Sequence, residues 1–239
     1  MYEKLVFLSK ICYNFNGDIM IKELEELIKD KHTIEDNPCN FKNLYGVRLP
    51  ELRKIAKVIA KEKRYEFFAE KHASFEELTI HAYAIGYLKE DIEVCLKYLK
   101  EFIPLVDNWS VNDSLCQNMK FARTYHKEVF EFIKSMKDSD NEWEIRVVAV
   151  TLLSHFLRDE YIDEVIEILD SLKRPTYMSK MGIAWAFATV MAKYEDKMFD
   201  YLDRSSLDNW TFNKALCKMR ESFRVSEKAK EKIKNMRRN

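Results

Sequence analysis

A chain of 239 residues carries 40 Lys+Arg against 40 Asp+Glu. That balance argues against a protein coated in nucleic acid by bulk charge, though not against a local basic groove. Four glycines and four prolines are too few for the regular turns of strand-rich folds, so the sequence predicts an all-α protein.

No stretch reaches the roughly 18 apolar residues of a membrane span, and MYEKLVFLSKICYNF lacks a signal-peptide pattern. The cysteines (Cys12, Cys39, Cys95, Cys116 and Cys217) are scattered without a C-x-x-C pair. Reduced, mostly buried thiols and a cytoplasmic location are the expectation.

The first helical pattern, DIMIKELEELIKDKH, has Asp18 as its cap. Its apolar positions are Ile19, Ile21, Leu24 and Leu27, with Ile28 widening the stripe. The loop TIEDNPCNFKNLYGVRLP is the clearest break in the chain, and Pro50 suits the first turn of the helix PELRKIAKVIAKEK. Helical patterns with short polar links then follow to the end of NWTFNKALCKMRESF, the longer ones apolar on most faces, as neighbours on both sides require. KMRESFR and the basic tail 225–239 read as a solvated helical end.

His81, Asp113, Arg146, Met181 and Lys214 recur at intervals of roughly 32 to 35 residues. Helix pairs of that length bury their apolar faces only against the next pair. The expectation is a single domain over residues 1–239: a curved α-solenoid of HEAT-like helix-pair repeats, an α-α superhelix lined by one helix of each pair. The tetratricopeptide and ankyrin signatures are absent.

Comparable phases of stacked repeats line up along one face. Trp109 with Asp113, Trp143 with Arg146, Trp185, and Trp210 with Lys214 therefore predict one inward-facing strip. Trp109 and Asp113, four apart behind the polar pair Asp107-Asn108, stand one above the other on a helix. Indole faces attract cations by about 0.5–2 kcal/mol. An ionised aspartate stabilises a developing oxocarbenium ion, and Arg or Lys hold phosphates. Such a strip suits a nucleic-acid backbone with a cationic sugar or base at its centre.

Taken singly, these residues have plainer readings: the tryptophans as core, Asp113 as a cap or ion-pair partner, Arg146 as a salt bridge to Glu144 or a nearby aspartate. The spacing of the whole group favours the groove. The five histidines (His32, His72, His81, His126, His155) show no metal-ligand spacing and read as partly exposed or satisfied core side chains. Phosphate-loop, dinucleotide and G-x-S-x-G motifs are absent, so neither metal nor cofactor is expected.

The segments NLYGVRLPELRKIAK, DNWSVNDSL, DNEWEIRVVAVTLL, KMGIAWAFATVMAKY and FNKALCKMRESFRVS resemble, in this order, the DNA alkylation repair proteins of the AlkD type. The resemblance implies excision of cationic N3- and N7-alkylated purines from double-stranded DNA, without drawing the damaged base into a pocket. It implies that Trp109 and Trp185 cradle the deoxyribose and backbone, that Asp113 stabilises the oxocarbenium ion, and that Arg146 binds phosphate. Lys214 and Trp143 join the DNA contact by their place in the strip, and a monomer is expected.

Three positions depart from the family pattern. Asn108 stands where a second indole is expected, Ala186 to Thr189 lack an expected arginine, and IEDNPCNF offers no match to the family's aromatic DNA contact. These departures fit a non-catalytic relative that binds bent, branched or damaged DNA. A HEAT-type scaffold for proteins is the third reading.

Overall fold

The computed structural model describes residues 11–13, 19–37 and 39–239. The amino-terminal residues 1–10, the expected Asp18 cap and the Cys12 side chain lie outside what is described. Among the described residues the fold is all-α apart from a short antiparallel ribbon, β1 (Ile11–Tyr13) with β2 (Ile19–Ile21).

That ribbon corrects the first helix. Ile19 and Ile21 belong to β2, and α1 spans only Lys22–Ile28. An Ile-x-Ile alternation satisfies a period of two as well as a helical stripe, and branching at Cβ favours the strand. α1 buries Leu24 and Ile28 and leaves Leu27 exposed.

The chain forms two compact units, Met1–Phe121 and Ala122–Asn239. The first holds α1, α2 (Leu49–Glu62), α3 (Phe75–Gly86), α4 (Ile92–Phe102) and α5 (Trp109–Asn118). Pro50 sits in the first turn of α2, and Lys63 closes that helix in the left-handed region at φ 54°. α2 packs on α3, and α3 on α5.

α3 opens with a capping box between Ser74 and Glu77. Its neighbour Glu76 is fully buried and accepts backbone N–H groups from Tyr45 and Val47, each at 3.1 Å. A carboxylate in the core therefore pins the loop that precedes α2.

The second unit holds α6 (His126–Lys134), α7 (Glu142–His155), α8 (Ile162–Ser171), α9 (Tyr177–Lys193), α10 (Glu195–Leu202), α11 (Asn209–Glu221) and α12 (Glu227–Ile233). α7 packs on α9 and α9 on α11, while α6, α8 and α10 lie beside this row. α7 and α9 are buried nearly all round, as a helix with neighbours on two sides must be.

The predicted register is visible in both units. His81, Asp113, Arg146, Met181 and Lys214 fall on α3, α5, α7, α9 and α11 in turn. Hydrogen bonds recur at the same offset: Ser114 to Tyr83, Arg146 to Met178, Lys197 to Asp163 and Tyr194 to Asp159 join residues 31 to 35 apart. Each of these bonds joins positions one repeat apart within a unit, the mark of a helical-repeat array.

Three further expectations are corrected. Of the described cysteines, Cys95 and Cys116 are buried, but Cys39 and Cys217 are exposed. The basic tail is docked: Arg238 donates to the carbonyls of Leu207 and Ser205 at 2.8 and 2.9 Å and lies over the Phe212 ring at 3.7 Å. Ala229 and Ile233, four apart among the lysines, give α12 a buried stripe that a charge count conceals.

The third concerns the histidines. His81 is a core side chain and His72 is half-buried, but both nitrogens of His72 and Nδ1 of His81 are buried without a hydrogen-bond partner. They pack among Phe67, Phe68 and Phe102 instead. No described helix is long and apolar enough to cross a membrane.

Candidate nucleic-acid interface

In the first unit, α5 begins at Trp109 because Asn108 stops the extended chain and caps it. The Asn108 side-chain oxygen accepts from the Val111 N–H at 3.0 Å, and its amide donates to Asp107 at 2.9 Å. Asp107 in turn pairs with Lys42 at 3.0 Å, which ties the loop before α2 to the start of α5.

Trp109, at the first helical position, is 38% exposed. Its ring meets Phe41 at 5.9 Å, and Phe41 stacks on Phe75 at 4.5 Å. Phe41 is a wall of this site that sequence reasoning missed. It ends the acidic run IEDNPCNF, and a lone aromatic outside any helix has no periodicity to flag it.

Asp113 lies one turn along α5 and keeps 8% exposure beside the fully buried Asn112. The helix therefore sets a half-open indole and a nearly enclosed carboxylate on neighbouring positions of one face. A cleft of about 320 Å³ opens at the same helix start, lined by Lys42, Lys71, His72, Leu105, Asp107 and Asn108 among others.

In the second unit, Asn141 caps α7 by accepting from the Trp143 and Glu144 N–H groups. Trp143 is half-buried in that first turn. Arg146, 6% exposed, donates to the Met178 carbonyl at 2.9 Å. Its side chain crosses α9 at Gly182, where an added Cβ would lie 3.2 Å from Arg146 Cγ. Trp185, half-buried, follows Gly182 by three residues on α9 and so shares its face.

Lys214 is half-buried on α11, with Lys218 one turn further. Burial holds the Lys218 amine below its ordinary value, and the nearby charges of Lys214 and Arg146 lower it further, while Glu221 opposes them. Lys218 thus lies within electrostatic reach of both Lys214 and Arg146. Lys218 stood out in the sequence only as part of a basic run.

Trp210 opens α11 with 42% of its surface exposed. It meets Tyr177 edge to face at 5.6 Å and lies 5.7 Å from the Lys180 ammonium. The first unit therefore gathers Trp109, Asp113 and Phe41. The second draws together Arg146, Lys214 and Lys218, with Trp143, Trp185 and Trp210 on the same row of helices. Among the described residues no group of three or more His, Cys, Asp or Glu side chains could hold a metal ion.

Indoles, cations and a shielded carboxylate are what a phosphate backbone and a positively charged sugar call for. No curated protein and no solved structure matches the chain. The family model of the DNA alkylation repair enzyme matches residues 20–219, most of the length, and the chain belongs to that family.

Proposed function

We propose that the protein is a DNA glycosylase that hydrolyses the N-glycosidic bond of cationic N3- and N7-alkylated purines in double-stranded DNA. Membership of a DNA alkylation repair family supports the substrate class. The observation that carries the reading is the α5 face, where Asp113 sits nearly enclosed one turn from the half-exposed Trp109.

The chemistry follows from charge. An N7- or N3-alkylated purine is already cationic, so when the C1′–N bond breaks its electron pair neutralises the leaving base, and no general acid is required. Positive charge then builds on the deoxyribose as an oxocarbenium ion. Asp113 stabilises that ion, accepts a hydrogen bond from the attacking water, and takes up that water's proton as the C1′–O bond forms, releasing it afterwards to solvent. Trp109 and Trp185 cradle the sugar and backbone, and Arg146, Trp143 and Lys214 hold the strand.

Release of free base from duplex DNA bearing 7-methylguanine or 3-methyladenine tests the reading. The unaltered protein is expected to release base, and Asp113→Asn to slow release by about a hundredfold or more. A folded protein that releases none overturns it.

One observation favours a second reading, a non-catalytic relative that recognises bent, branched or damaged DNA. Asn108 occupies the place of an expected indole, and both ends of its side-chain amide are engaged, the oxygen in capping α5 and the nitrogen in donating to Asp107. That reading expects salt-sensitive binding that Arg146→Ala with Lys214→Ala removes and Asp113→Ala leaves intact.

A further inference from the structure

The docked tail builds a second cationic feature on the second unit. A cleft of about 370 Å³ lies between α11 and the segment after it, with Trp210, Lys214 and Arg220 on one side and Lys234 and Arg237 on the other. Among the described residues no carboxylate lines it. Lys234 has a carboxylate neighbour, Glu231 at 3.4 Å, outside the cleft.

Four like charges around one cleft repel, and a scaffold that holds them there makes the cleft attractive to an anion. The scaffold is Arg238, fixed by the Leu207 and Ser205 carbonyls and by Phe212. The Asn213 side chain adds a reciprocal pair, donating to the Arg238 carbonyl at 2.7 Å and accepting its N–H at 2.9 Å. Arg237, one residue before this anchor, and Lys234, a turn earlier, are thereby carried to the face of α11.

We propose that this cleft binds consecutive phosphates of a DNA backbone, with the exposed Trp210 indole at its mouth lying against a sugar or base. Lys214 lines the cleft and also belongs to the cluster with Lys218 and Arg146. Lys214 therefore links the cleft to that cluster. The flat indole beside the cations favours a nucleic-acid strand over a small anion, because phosphate grip and stacking are then used together. The inference rests on the DNA reading above only in that the protein meets DNA.

Binding of a short undamaged duplex, followed by fluorescence anisotropy from about 50 to 200 mM salt, tests it. Arg220→Ala with Arg237→Ala is expected to reduce the salt slope by about two and to weaken binding about tenfold. Arg220→Lys with Arg237→Lys, which keeps the charges, is expected to restore the slope. An unchanged slope in the alanine pair overturns the proposal.

Displacement of the duplex by micromolar ATP, with the slope insensitive to the alanine pair, overturns it in favour of a free-nucleotide site. Base release by the unaltered protein is scored alongside. Salt-linked binding at the cleft without excision overturns only the glycosylase reading, and excision with an unchanged slope overturns only the cleft.

Discussion

The carbonyl oxygen of Asn118 lies 2.6 Å from the point at which Gly86 would carry a Cβ. The obstacle is backbone at the end of α5, so it cannot swing aside. Gly86→Ala is expected to push α3 and α5 apart and to destabilise the protein by about 2–3 kcal/mol. Urea denaturation reads this directly, and an alanine variant as stable as the parent would show that the two helix ends have room to separate.

Gly182 presents the opposite case. Its missing Cβ would meet Arg146 Cγ at 3.2 Å and Nη1 at 3.6 Å, and both belong to a flexible side chain. Alanine also favours a helix interior over glycine by about 1 kcal/mol. Gly182→Ala is therefore expected to leave stability within about 1 kcal/mol of the parent while shifting the guanidinium off the Met178 carbonyl. Duplex binding is expected to weaken several-fold. Loss of stability with binding retained would assign Arg146 a purely structural part.

These two glycines show where the sequence was informative and where it was silent. The 32-to-35-residue register placed His81 and Asp113 on α3 and α5 of the first unit, and Arg146, Met181 and Lys214 on α7, α9 and α11 of the second, because burial between neighbours imposes a repeating phase. Nothing in a one-dimensional pattern reveals that Gly86 and Gly182 face another helix, because the contact is made by residues more than 30 positions away. The docked tail escaped for a similar reason: Arg238 is held by carbonyls and a ring that belong to distant positions. Glu76 is a charged residue at a fully buried position, where hydropathy predicts none, and only the Tyr45 and Val47 N–H groups explain it.

Phe41 links the loop before α2 to the α5 face, touching both Phe75 and Trp109. Removing its ring leaves the indole without a supporting wall. Phe41→Ala is expected to cost about 1–2 kcal/mol of stability through the lost stacking and to slow base release about tenfold at temperatures where the variant is fully folded. Phe41→Leu, which keeps apolar bulk, should recover most of the stability and less of the activity. Full activity in the alanine variant would remove Phe41 from the site.

The buried imidazoles give stability a pH dependence whose sign is fixed by their surroundings. His72, packed against the Phe67 and His81 rings, is pushed down to about 4 by burial, and His81 falls well below its ordinary value through burial first and the neighbouring His72 charge second. In the unfolded chain both titrate near their usual value of about 6.5, so on acidification the unfolded state takes up protons first. Stability is complete above that value and falls as pH drops from about 6.5 toward 4, by about 2 kcal/mol for His72 on reaching pH 5, with His81 acting in the same direction. His72→Leu removes one of the two groups, and the fall between pH 7.5 and 5 in chemical denaturation is expected to shrink by about 2 kcal/mol. An unaltered protein equally stable at both pH values would mean that the rings gain solvent or a partner when protonated.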